Sequence, residues 1–484
     1  MKFLKDILFR VALEAVRGEL DIEIQSIAFD SRAVDSAGAF VALKGELFDG
    51  HRFIDQAIAA GAHAIVCEEF PSQLQPKVTY VRVTDSREAL GHIAANFYGR
   101  PSESLHLIGV TGTNGKTTVT TLLYEAFTQL GYSSGLLSTI KTIIGVEELP
   151  STHTTPDPIQ IQKALATMLA AGVTHCFMEV SSHGINQKRI EGLHFTGGVF
   201  TNLSHDHLDY HKTFANYRNA KKTFFDQLTS EGFALINTDD KNGLYMLQNC
   251  VAKHRKYALK SMADYRAKIL ENQFDGMLLA LDQTEVWTQL VGNYNASNIL
   301  AVYAVARELG VPAEEIIPQL SLLQNVEGRF EVFRINERTV IVDFAHTPDA
   351  LNNVLSTINQ IRTKNETLFT LVGCGGDRDP EKRPEMGRIA AKHSNQVIFT
   401  SDNPRSESPE AILEQMIAGV APEHFKRTLK ITSREEAIQA VSRMTSPGDV
   451  VLIAGKGHEK YQEINGERHP FDDGALAQKY FTEI

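Results

Sequence analysis

One segment has the residue types and spacing to hold a polyphosphate: Thr111-Gly112-Thr113-Asn114-Gly115-Lys116-Thr117-Thr118. Gly112 and Gly115 let backbone N–H groups turn inward around phosphate oxygens. Lys116 supplies a point charge for the β- and γ-phosphates, and Thr117 a hydroxyl for Mg²⁺. A helix opening at this point adds its positive dipole end. Val110 stands where the GxxxxGK[ST] pattern has its first glycine, so the match is partial. No NKxD guanine-reading segment accompanies it, which favours ATP over GTP.

Further reactive residues lie downstream. Glu179, in Met178-Glu179-Val180-Ser181-Ser182-His183-Gly184, is a carboxylate placed to hold Mg²⁺ beside the phosphate loop. Residues 205–211 pack three histidines and two aspartates into seven positions. Alone, such a loop is equally well a polar cluster satisfying itself. Lys221 and Lys222 fall on a helix starting near Phe214, where solvated surface is the expectation from spacing. In Asp402-Asn403-Pro404-Arg405, Pro404 stiffens the loop and Arg405 offers a planar fork suited to a carboxylate. The bland alternative for Arg405 is a surface ion pair.

These residues sit after short apolar runs. Residues 105–110, 175–180, 197–203 and 233–238 read as strands buried on both faces, separated by amphipathic helices. A second series follows at 339–345, 367–376, 396–403 and 449–457. The first hundred or so residues hold shorter runs and read as a small α/β unit. Gly99-Arg100-Pro101 and Gly328-Arg329-Phe330 are the candidate boundaries. The expected class is therefore α/β with mostly parallel sheets, whose ligands bind beyond the carboxyl ends of the strands.

The chain has 484 residues, 43% of them hydrophobic, and a net charge of −11. That composition excludes disordered and fibrous classes. The acidic balance argues against wholesale binding of nucleic acid or anionic membrane. Cys67, Cys176, Cys250 and Cys374 form no CxxC pair, which speaks against a zinc ribbon or disulfide scaffold and fits a reducing compartment. With no secretory leader pattern and no run of about 18 apolar residues, a cytoplasmic protein is expected.

Taken together and in order, the segments resemble the Mur ligase family of peptidoglycan synthesis. They are FDSR (29–32), TGTNGKTT (111–118), HTTPD (153–157), MEVSSHG (178–184), TNLSHDHLDYH (201–211), NAK (219–221), GNYNASN (292–298), EGRFE (327–331), VDFAHTPDAL (342–351), GCGGDRD (373–379), DNPR (402–405) and AGKGHE (454–459). In that family the missing first glycine is normal. The resemblance implies three domains: a UDP-sugar-binding domain at 1–100, a central P-loop ATPase at 101–331 and a C-terminal Rossmann-like, amino-acid-binding domain at 332–484. It implies an ATP-dependent acid–amino-acid ligase working through an acyl phosphate on UDP-N-acetylmuramoyl-L-alanyl-D-glutamate.

Site roles follow from the same resemblance. Ser31, Thr154, Thr155, Ser181, Gln187 and Arg189 match positions holding the UDP substrate. Gly112 to Thr118, Asn295, Asn298, Arg329 and Asp343 match the ATP site. Thr117, Glu179, His207 and Lys221 match the metal site, with Lys221 carboxylated by CO₂ to a carbamate; Lys116, Glu179, His207 and Lys221 are the catalytic set. DNPR resembles the diaminopimelate-adding type, so Arg378, Asp402, Asn403, Pro404, Arg405, Gly455 and Glu459 are expected to bind meso-diaminopimelate. The implied partners are these small molecules and ATP, with Mg²⁺, no nucleic acid, no membrane insertion and a monomeric chain. Alternatives are a lysine-adding relative, a folylpolyglutamate-type ligase, or a regulatory or transport NTPase.

Overall fold

A computed structural model describes residues 2–45 and 49–483. Its largest sheet has eleven strands. Six lie side by side and parallel: Ser134–Leu137, His175–Glu179, His106–Thr111, Gly197–Phe200, Phe233–Asn237 and Lys253–Ala258. Their apolar residues feed cores on both faces. Helices Lys116–Gln129 and Asn293–Glu308 cover one face; Pro158–Ala170 and Phe214–Asp226 cover the other. Register matters for function: Glu179 lies opposite Val110, and Phe200 opposite Thr111. Three reactive loops therefore leave the sheet at one edge.

A six-stranded sheet follows in the order Glu331–Ile335, Arg338–Asp343, Val450–Ala454, Leu368–Val372, Gln396–Phe399, Thr428–Lys430. All pairs but the first are parallel. A five-stranded sheet spans Leu13–Arg17 to Thr79–Val83, with one antiparallel pair. The helix Ser86–Phe97 of this unit packs tightly on the central one: a Cβ at Gly91 would lie 2.7 Å from the Glu191 carbonyl oxygen. Lys188 bridges the same junction to Asp85 at 3.0 Å and to Glu88.

The apolar runs mark four of those six parallel strands in the largest sheet; Ser134–Leu137, Lys253–Ala258 and the antiparallel additions escape them. Lys141–Ile144 pairs with the fully exposed Glu147–Pro150, and Tyr265–Gln273 is broken by Arg266, Lys268 and Glu271. Strands wetted on one face have no continuous apolar run. All four cysteines are free and buried. Among the described residues no helix is long and apolar enough to cross a membrane.

Candidate active site

The phosphate loop joins the strand His106–Thr111 to the helix Lys116–Gln129. Gly115 precedes the helix at φ +87°, a backbone conformation costly for other residues. Gly112 is needed for space, since a Cβ there would sit 1.9 Å from Thr201 Oγ1. The next strand end braces the loop. Thr113 N donates to the Asn202 carbonyl (2.8 Å), Asn114 N to Asn202 Oδ1 (2.9 Å), and Thr201 Oγ1 to the Asn114 carbonyl (2.6 Å). Lys116 folds back, its Nζ donating to the Gly112 and Thr113 carbonyls at 3.0 and 2.9 Å.

Lys221 reaches this loop from the opposite side. Its Nζ donates to the Gly112 carbonyl at 2.7 Å and lies 4.8 Å from the Tyr217 ring centroid. The expectation of solvated surface is wrong for both helix lysines. Lys221 is fully enclosed, and Lys222 is buried against Asp226 at 2.6 Å. Burial, reinforced by Lys116, drives the Lys221 pKa well below the ordinary lysine value. Burial also lowers Lys116, against the opposing pull of Glu179 and Asp206.

Glu179 is completely buried; Oε1 accepts the Thr139 N–H at 2.7 Å, while Oε2 has no protein partner. An orphaned buried carboxylate oxygen is costly unless something cationic meets it. With the Thr117 hydroxyl on the same cleft, it fits Mg²⁺, which uses few protein ligands alongside phosphates and water. No group of three or more His, Cys, Asp or Glu side chains is preassembled for a metal among the described residues.

His207 takes a left-handed conformation (φ +55°), turning its ring against His183 at a centroid distance of 4.8 Å. Burial pushes the imidazole below its ordinary value, although the side chain is still 41% exposed. Asp206 faces it at 3.4 Å; burial opposes ionisation of this carboxyl, but His207, His346 and Lys382 together hold it below its ordinary value.

A cleft of about 620 Å³ lies between the central and C-terminal sheets; Lys221 and Gly112 sit behind its lining. Thr113 to Thr118, Thr154, Glu179, His207, Asn295, Asn298, Arg329 and Asp343 all face it. Asn298 Nδ2 donates to Asn295 Oδ1 at 3.1 Å, and Arg329 Nη2 to Thr117 Oγ1 at 3.3 Å. Asp343 accepts from Phe330 N at 2.7 Å; burial raises its pKa to about 6 despite Arg329. Asn114 meets Asp349 of the C-terminal sheet's first crossover helix at 3.1 Å.

The far wall comes from the C-terminal strand ends: Arg378, Asp402, Asn403, Arg405, Gly455 and Glu459. Arg405 is no free surface charge. It adopts φ +50°, its side chain is 19% exposed, Nη1 donates to the Gly376 carbonyl at 2.7 Å, and Nε lies 3.4 Å from Glu463. Arg378 is exposed on the same wall. Pro404 lies behind it: a Cβ on Gly376 would meet the Pro404 carbonyl at 1.9 Å. Two residues packed behind this wall carry no role in the sequence reading, Lys456 and Glu463; Lys456 meets Asn403 and Glu463 meets Arg405, partners more than fifty residues away that no local spacing signals.

Of the residues matched to the UDP substrate, Gln187 and Arg189 line a separate cavity of about 210 Å³ with Phe29, Leu43, Arg87 and His153, where the N-terminal and central units meet. Arg189 Nη2 donates to Gln187 Oε1 at 2.7 Å and Nη1 to the Thr155 carbonyl at 2.7 Å. Thr155 and Ser181 are committed internally. Thr155 Oγ1 donates to the Glu179 carbonyl and accepts from Ser181 N, both at 2.9 Å, and Ser181 Oγ caps the following helix. Ser31 faces neither cavity and donates to Gln56 Oε1 at 3.1 Å.

A phosphate loop facing an arginine-bearing pocket across two parallel α/β sheets has counterparts. Residues 23–98 match the model for "Mur ligase family, catalytic domain", 110–306 the "Mur ligase middle domain" and 328–457 the "Mur ligase, glutamate ligase domain". The chain belongs to the Mur ligase family. More particularly, it is 51% identical to the UDP-N-acetylmuramoyl-L-alanyl-D-glutamate--2,6-diaminopimelate ligase of Cytophaga hutchinsonii, over 99% of both chains. It is 49% identical to the ligase of the same name from Bacteroides fragilis, again over 99% of both. A solved structure of a UDP-N-acetylmuramoyl-L-alanyl-D-glutamate--2,6-diaminopimelate ligase superposes with a TM-score of 0.70 at 33% identity, covering 99% of this chain and 98% of the other.

Proposed function

We propose that this chain is an ATP-dependent ligase joining meso-2,6-diaminopimelate to the D-glutamyl carboxylate of UDP-N-acetylmuramoyl-L-alanyl-D-glutamate, in the cytoplasmic synthesis of peptidoglycan precursors. The observation that carries the reading is one cleft that sets Lys116 and its phosphate loop opposite the Arg405 fork. The units at 1–100, 101–331 and 332–484 then hold the UDP end, the ATP and the amino acid respectively. Gln187 and Arg189 support the first assignment by lining the cavity at that junction.

An amine does not displace hydroxide from a carboxylate at a useful rate, so the acid must first be activated. A carboxylate oxygen attacks the γ-phosphorus, the bond to the β-phosphate oxygen breaks, and ADP leaves. The amine then attacks the acyl carbon, loses a proton and expels phosphate. The phosphate loop and Lys116 hold the nucleotide and offset charge spreading over the transferring group. Arg329, stacked on Phe344 at 4.4 Å, supplies a second cation from the segment joining the two sheets. Asn295 and Asn298 take the adenine side. The His207 imidazole, in its neutral form, is able to accept a hydrogen bond or ligate a metal.

Thr117 and Glu179, with His207, would hold Mg²⁺, which when bound neutralises polyphosphate charge. Lys221 fits carboxylation by CO₂, because burial favours the neutral amine that reacts; the carbamate would replace a cation at the Gly112 carbonyl by an anion. In the amino-acid pocket, Arg405 and Arg378 suit the distal carboxylate that diaminopimelate has and lysine lacks, and Asp402 and Glu459 suit its ammonium. Lysine would offer the guanidinium no carboxylate beyond Glu463 and would forfeit that contact, a difference that sharpens selectivity.

Phosphate release tests the whole reading. Turnover is expected only with ATP, the UDP-linked dipeptide and diaminopimelate together. Brisk ATP hydrolysis without the dipeptide would instead favour a regulatory or transport NTPase.

A further inference from the structure

Lys456 has no part in the roles above, yet it is completely buried. An ammonium enclosed by protein costs several kcal/mol unless it is paired and hydrogen-bonded, and an apolar side chain would fill the space without that cost. Its partners are two residues of the pocket wall. Nζ donates to Asn403 Oδ1 at 2.9 Å and to Glu459 Oε2 at 3.1 Å, and it lies 5.5 Å from the Tyr461 ring centroid. Asn403 Oδ1 also accepts from Glu463 N at 2.9 Å. With two donors on its oxygen, the amide cannot flip, and Nδ2 is turned onto Glu459 Oε2 at 2.8 Å.

We propose that Lys456 is a positioning residue for the amino-acid pocket, a buried counter-charge, anchored on Asn403, that keeps Glu459 an acceptor for the ammonium of the incoming diamino acid. The inference rests on the pocket assignment made above. Charged and titratable groups facing Glu459 are Asp402 and Lys456, with Tyr461, Arg329 and Arg434 around them. Burial and then Asp402 push its carboxyl above the ordinary range, and Lys456 is the cation in direct contact that pulls it back. Removing the cation raises that pKa further. A carboxyl so raised stays protonated to higher pH than in wild type and regains its charge as pH rises.

The test is the diaminopimelate KM against pH for wild type, Lys456→Met, Glu459→Gln and the double variant. Lys456→Met should raise KM about tenfold or more near neutral pH, with the excess shrinking as pH rises by about 1.5 units, while ATP KM stays within about twofold. Glu459→Gln should show no such pH dependence, and the double variant should be no worse than Glu459→Gln alone. If Lys456→Met does not fold, Lys456→Gln removes the charge while keeping a polar group and should give the same pH-dependent KM. An unchanged KM, an increase equal at every pH, or penalties that multiply in the double variant would overturn the inference. Wild type that ligates diaminopimelate alongside such a result would leave the pocket assignment standing. Wild type unable to use diaminopimelate would remove that assignment and the inference with it.

Discussion

Two lysines from different helices converge on one backbone carbonyl, that of Gly112, and their environments separate their work. Lys116 opens onto the cleft, whereas Lys221 is enclosed. Lys116→Ala should lower kcat by about 10²- to 10³-fold, the scale for losing a preorganised charge from a transition state, with diaminopimelate KM little changed. Trapping of the acyl phosphate checks this; retained intermediate would count against the role. The role proposed for Arg405 is in substrate choice. Arg405→Ala should raise diaminopimelate KM by about tenfold to a hundredfold and leave ATP KM nearly unchanged, read from steady-state kinetics with each substrate varied. Lysine 221 also shows where sequence reading ran out. Which face of the helix Phe214–Asp226 is buried depends on a carbonyl 109 residues upstream, so spacing alone pointed to solvent. The phosphate loop, by contrast, was readable because its glycines, lysine and helix start are contiguous.

At the scale of elements, function sits on loops aligned by strand register. Glu179 is held beside the phosphate loop by a parallel pairing that runs through Val110. In the C-terminal sheet, two loops brace each other: Gly376 N donates to the Asn403 carbonyl at 2.9 Å, and Arg405 Nη1 returns to the Gly376 carbonyl. Gly376→Ala should therefore displace the DNPR loop and raise diaminopimelate KM without altering ATP KM. A double-mutant comparison with Arg405→Ala should find the two effects non-additive. Behind the loops, helices Arg434–Met444 and Asp473–Thr482 are joined at their starts by a fully buried bidentate pair. Arg434 Nε and Nη2 donate to Asp473 at 2.8 and 2.7 Å, and Nη2 also holds the Ala454 carbonyl that leads into Gly455. Asp473→Asn leaves the guanidinium buried without its counter-ion and should cost about 3–5 kcal/mol of stability, measured by urea denaturation. Most of the parallel strands are legible as apolar runs, but Ser134–Leu137 is too short and Lys253–Ala258 too charged to stand out. The hairpins that extend the central sheet are not legible either, because their alternating, half-wetted faces look like loop.

Over the whole molecule, three sheets place two cavities in series, one at each junction between units. Such an arrangement suits a long substrate anchored at one end and activated at the other. Close approach of Gly91 to Glu191 and the Lys188 bridges tie the first unit to the second. At the other junction a Cβ on Gly328 would lie 2.0 Å from His458 N, so backbone passes directly against backbone where the second and third units meet. The order of units was readable from the motifs, while these contacts between them were not, since each pairs residues far apart in sequence. The central claim is that a guanidinium in the third unit selects the amine condensed with the activated acid. Mass analysis of product from equal diaminopimelate and L-lysine, supplied together with ATP and UDP-N-acetylmuramoyl-L-alanyl-D-glutamate, tests it directly. The account predicts the diaminopimelate adduct with equimolar ADP and almost no lysine adduct; lysine incorporated as readily as diaminopimelate would contradict it.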